Sequence, residues 1–152
     1  MLRDALLRYV GFAKAISLWM HSAHHLTKGP AFVASHELLF GRVYQTLSED
    51  FDKAVEKLIY LMDDETFACP ITISNIASSI LDRYDSPVNM SERSIAMIAL
   101  CILVDHMKGI EVIRELLHKE GVLTLGMDDF LSAVSNQYES YAYMIKQQTK
   151  DR

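Results

Sequence analysis

Along most of the chain the apolar residues return every three or four positions, the repeat that lays one face of an α-helix on a core. Nowhere do apolar and polar residues alternate over the length of a strand. Tyr9, Phe12, Ile16, Trp19 and Ala23 form one stripe of a helix predicted from Leu2 to Leu26. Leu6, Val10, Ala13, Met20 and His24 form a second stripe beside it, so this helix is expected to bury two faces. Lys28, Gly29 and Pro30 break the pattern, and Pro30 is suited to the start of a second helix that extends to about Met62.

Asp63, Asp64 and Glu65 open a long connection that contains Cys69 and Pro70 and a short helix predicted over Ile73 to Tyr84. Ser86 and Pro87 stop and restart the chain, and Asn89 with Glu92 has the spacing of a capping box. A third long helix is predicted from about Met90 to His118, ended by Lys119, Glu120 and Gly121. A fourth begins near Gly126 and carries Met127, Phe130, Leu131, Val134, Tyr138, Tyr141, Ala142 and Ile145 in a three-four repeat. A long middle crossover lets the helices on either side of it run parallel, and four long helices joined this way have the ferritin-like topology. The expectation is an all-α, ferritin-like four-helix bundle with a short extra helix in its crossover, built as a single domain over residues 1–152.

Composition narrows the function. Half the 152 residues are apolar and 23% are charged, an ordinary globular balance that needs no disulfide. The densest apolar stretch, Ser94 to Val104, is too short to span a bilayer and reads as a buried helix, so no membrane is expected. The first residues lack a secretory pattern, which points to a cytoplasmic protein. Cys69 and Cys101 have no paired spacing and are expected to be reduced, packed thiols. A formal charge of -5 and the absence of a basic tail argue against nucleic acid as a partner. No phosphate loop, CxxC pair or GxSxG elbow is present. Asp105 and His106 point about 100° apart on a helix, which predicts one buried and one exposed group rather than a site.

What remains is a set of imidazoles and carboxylates of the kind that hold iron in helical bundles. His21, His24 and His25 cluster at the end of the first helix, and Ala23 to Glu37 reads AHHLTKGPAFVASHE. This segment resembles the DNA-protection-during-starvation (Dps) family of miniferritins. The likeness lies in a histidine ending the first helix, a glycine turn, a phenylalanine and a histidine-glutamate pair twelve residues on, here His24, Gly29, Phe32, His36 and Glu37. Asp52, Ala54 and Glu56 are similar to the family's aspartate and glutamate one turn apart on the second helix, and Asp129, Leu131, Tyr138, Glu139, Tyr143 and Met144 to its last helix. With the crossover helix, the resemblance covers nearly the whole chain.

The resemblance implies a subunit that binds iron as Fe2+ and oxidises it to Fe3+ with peroxide or dioxygen. His24 and His36 of one copy would face Asp52 and Glu56 of another, with zinc as a substitute occupant. It also implies a homo-oligomer, a twelve-subunit shell that stores the ferric product, with Asp128 and Asp129 lining an ion entry if not simply matching a helix dipole. Three positions depart from the family pattern. Asp52 stands sixteen residues after His36 where fifteen is usual. Val43, Leu47, Phe51 and Leu58 are displaced with it, so one extra residue lies between Leu39 and Val43. Left alone it would rotate both carboxylates by about 100°, and a single-turn π-bulge beside Gly41 would absorb it. Phe40 replaces a common aspartate, and His25 replaces a common aromatic residue for which Trp19 or Tyr44 can substitute. The alternative reading is a Dps-like structural or interaction subunit without iron oxidation, part of a larger assembly such as a phage particle. DNA protection is a third reading that the acidic chain disfavours.

Overall fold

Pairs of distant residues set the direction of each helix. The computed structural model describes residues 1–150, which contain helices and no strand. Helix α1 spans Leu2–Leu26, a π-helical segment spans Ala34–Phe40, and α2 follows it directly over Gly41–Met62. A 3-10 turn at Glu65–Ala68 leads to α3, Pro70–Leu81, and then come α4, Glu92–Lys119, and α5, Leu125–Thr149. Arg3 bonds Asp64 at 2.9 Å, the Lys14 ammonium stands 5.1 Å over the Phe51 ring, Ser17 shares a hydrogen bond with Ser48, and His24 meets His36. Those pairings make α1 and α2 antiparallel. Thr46 with Tyr141 and Lys57 with Phe130 do the same for α2 and α5. His106 with Tyr138 and Arg114 with Asp128 do it for α4 and α5. Tyr9 stacks on His106, while Lys28, beyond the end of α1, bonds the Met90 carbonyl just before α4. Helices α2 and α4 therefore run the same way, as the long crossover allows.

The core follows the sequence stripes closely. Tyr9, Phe12, Ile16, Trp19 and Ala23 are all buried, as are Leu6, Val10, Ala13 and Met20 of the second stripe. In α5 the expected residues are buried from Met127 to Ile145, with Ala142 half-buried. The crossover helix packs on α1 at Gly11, where any Cβ would overlap the Ile76 side chain. Trp19 fixes the far end of the crossover by donating its indole N–H to the Asp85 carbonyl at 3.0 Å.

Helix ends show where local chemistry overrode spacing. Helix α3 begins and ends three residues earlier than expected, because Pro70 takes its first position. Asn89 does not cap α4. It adopts left-handed backbone with φ 61, and Ser91 caps instead by accepting from the Ser94 N–H. Gly121 ends α4 at φ 71, the conformation glycine adopts without a steric penalty. Thr124 caps α5 through the Met127 N–H.

Candidate functional site

The site is built where α1 ends and the second helix begins. His24 and His36 stack with ring centroids 3.8 Å apart and planes 21° off parallel. The Nδ1 of His24 lies 2.7 Å from the His36 carbonyl oxygen, and the Nδ1 of His36 lies 2.7 Å from the His24 carbonyl oxygen. A carbonyl only accepts, so each ring carries its proton on Nδ1 and donates it. That fixes the tautomer and leaves both Nε2 lone pairs free when the rings are neutral, the state in which imidazole binds a metal ion. The His24 carbonyl also accepts from the Thr27 hydroxyl at 3.2 Å, so an orphan acceptor of the helix end is satisfied twice.

The expected π turn beside Gly41 is present here. The Gly41 N–H bonds the His36 carbonyl, an i→i+5 bond, and Ala34–Phe40 forms a π-helix that ends beside Gly41. The widened segment begins earlier than the expected single turn, and its His36 carbonyl serves both Gly41 and the His24 ring. Gly41 is required at this point. A Cβ would lie 2.7 Å from the His36 oxygen and 3.3 Å from the His24 Nδ1. Phe40 at the end of the π segment is fully in the core and offers nothing to an ion. Ser35, buried on the same segment, donates its hydroxyl to Glu92 at the start of α4 and ties the histidines to a third helix.

Asp52 and Glu56 lie one turn apart on α2 and are both exposed, opposite a core face made by Leu47, Ala54 and Leu58. Sixteen residues separate Asp52 from His36, which places the two roughly 20–25 Å apart along one helix at about 1.5 Å per residue. The chain does not bring Asp52 or Glu56 to its own His24 and His36. Among the described residues no group of three or more His, Cys, Asp or Glu side chains stands in metal-holding geometry. Glu56 shares an open groove with Lys53, Lys57 and Tyr60.

The neighbours named from the sequence take definite places around the pair. Glu37 brings Oε1 to 3.3 Å from the His36 Nε2. With the proton held on Nδ1, that Nε2 offers a lone pair to a carboxylate, so the contact is favourable only with a proton or a metal ion between them. Tyr44 stacks on His21 at 4.2 Å and lies 5.1 Å from His24, so it is the oxidisable ring beside the histidines. Trp19 belongs to the core. Slight desolvation within the ring cluster, with the charges of His25 and His24, holds the exposed His21 below the ordinary histidine value.

A separate polar layer crosses the bundle interior, with Tyr9 from α1, Asp50 from α2, His106 from α4 and Tyr138 from α5. His106 packs on Tyr9, Phe12 and Tyr138, and burial pushes its pKa down to about 3. Burial also raises Asp50 to about 6, against the pull of Lys53, and raises the Tyr9 and Tyr138 hydroxyls well above their usual range. Asp50 Oδ2 and His106 Nε2 have no hydrogen-bond partner among the described residues. Asp50 could have been found from its place between Leu47 and Ala54 on the core side of α2. The expected split of Asp105 and His106 holds in part, since His106 is buried but Asp105 is half-buried and accepts from the Tyr84 hydroxyl at 2.7 Å. Asp128 is bound to Arg114 at 2.6 Å, while Asp129 is exposed. Both cysteines are free, but Cys101 is exposed rather than packed. No described helix is long and apolar enough to cross a membrane.

No protein-family model matches this sequence, and no curated protein matches it.

Proposed function

We propose that this chain is a Dps-like miniferritin subunit with a ferritin-like bundle, which binds ferrous iron between two copies, oxidises it and retains the product in a closed homo-oligomer. The observation that carries the reading is the reciprocal pair of Nδ1–carbonyl bonds between His24 and His36, which orients two half-buried imidazoles and leaves their Nε2 atoms outside that pairing. The exposed Asp52 and Glu56 supply the complementary half, and a two-fold contact between copies is what unites halves that one chain keeps apart. Carboxylates favour the ferric product through charge, and the small number of protein ligands leaves positions open for peroxide or dioxygen. With peroxide, two ferrous ions give up one electron each, the O–O bond breaks, and two protons complete two waters.

A second reading, assembly without oxidation, draws on Phe40 in the core and on Lys53 and Lys57 beside the carboxylates. One experiment separates them. Purified protein is loaded anaerobically with ferrous iron, peroxide is added, and ferric absorbance is followed for wild type and His36→Ala. The ferroxidase reading expects the variant to be slower by about tenfold or more. Equal rates would leave only the assembly reading.

A further inference from the structure

Beside the stacked pair stand two more imidazoles, which share Tyr44 with His24 but take no part in the reciprocal hydrogen bonds. His21 and His25 occupy positions i and i+4 of α1, so their side chains rise from the same face one turn apart. Their ring centroids are 4.6 Å apart, both residues are exposed, and neither ring makes a hydrogen bond among the described residues. Tyr44 lies under His21, 4.2 Å away and 18° from parallel, and restrains that ring before any ion arrives. The pair is therefore partly ordered while its ring nitrogens remain uncommitted.

We propose that His21 and His25 form a second metal site that captures a divalent late first-row ion, zinc or copper(II), independently of the iron reading. Two imidazoles at i and i+4 of a helix form a chelating pair of the kind found in helical zinc motifs. Imidazole nitrogen donors favour these borderline ions over magnesium, calcium or manganese, which prefer oxygen. Water fills the remaining positions, so the site is open and exchanges its ion readily. The rings of His21 and His25 lie 6.2 Å and 5.3 Å from that of His24, close to the other pair but not part of it.

The test uses the full chain and zinc ions alone, with no iron and no oxidant. Equilibrium dialysis across a range of zinc concentrations is run on wild type, His21→Gln, His25→Gln and His36→Gln, with helical circular dichroism to check folding. His21→Gln and His25→Gln should each weaken one class of zinc sites by at least about tenfold, and His36→Gln should retain that class. The proposal is overturned if wild type lacks the class, if it survives both substitutions, or if His36→Gln alone removes it. Ferrous oxidation by His21→Gln and His25→Gln, measured separately, stays at the wild-type rate if the iron reading is right, so the two ideas fail independently.

Discussion

His24 and His36 each donate a ring proton to the other's backbone carbonyl, at 2.7 Å in both directions. Neither residue could be positioned this way alone. The bond from His24 needs the His36 carbonyl turned out of a regular helix, and the bond from His36 needs the free carbonyls at the end of α1. The π-helix and the helix terminus thus hold the two rings as one unit.

Gly41 is the weak point of that unit. Gly41→Ala would place a Cβ 2.7 Å from the His36 oxygen and 3.3 Å from the His24 ring, and the backbone on one side would have to move. Thermal unfolding should show a loss of about 1–3 kcal/mol, the usual cost of overpacking. A neutral substitution would mean that the π turn does not confine the ring.

Deleting a residue tests whether the π-helix absorbs an insertion. Leu38 is exposed at 54%, and its removal should let Ala34–Phe40 close into ordinary α-helix with the phase of α2 unchanged. Stability should stay within about 1.5 kcal/mol of wild type. Deleting the exposed Gln45 instead rotates Leu47, Ala54 and Leu58 off the core by about 100° and should prevent cooperative folding. Similar outcomes for the two deletions would contradict this account of the π segment.

Acid sensitivity should trace to His106. Its folded pKa of about 3 lies below the ordinary 6.5, so the folded state favours the neutral ring. That stability is complete above pH 6.5 and is lost as pH falls towards 3, up to about 5 kcal/mol in all. Asp50 acts with the opposite sign, since its raised pKa of about 6 makes folding less favourable as pH rises from 3.8 through 6. His106→Phe should lower the midpoint of acid unfolding, followed by circular dichroism. An unchanged midpoint would show that other groups control it.

Much of the architecture was readable because helix periodicity is a property of single elements. The bounds of α1 and the buried stripe of α5 follow directly from it. A π turn beside Gly41 was also expected, from the sixteen-residue spacing between His36 and Asp52. What periodicity does not carry is the competition for individual backbone groups. Ser91 outcompeted Asn89 for the start of α4, and the His36 carbonyl took both the Gly41 N–H and the His24 ring. The core-facing place of Asp50 was legible from its spacing, but spacing does not reveal that its Oδ2 has no partner among the described residues.

Assembly is a further expectation of the proposed function. Light scattering coupled to size exclusion should give one large closed species, and monomer or dimer alone at working concentrations would exclude a shell.

The proposed iron site is most directly tested by complementation between two inactive chains. One carries His36→Ala and keeps its carboxylates, and the other carries Asp52→Ala with Glu56→Ala and keeps its histidines. In a two-fold pair of unlike chains, one site receives both defects and the other receives none. Each variant alone should fail to oxidise ferrous iron. Assemblies formed by mixing the two at equal amounts should recover about a quarter of the wild-type rate, because random pairing makes half the pairs unlike and each of those has one intact site. No recovery from mixed assemblies, when each variant still assembles alone, would contradict a site shared between copies.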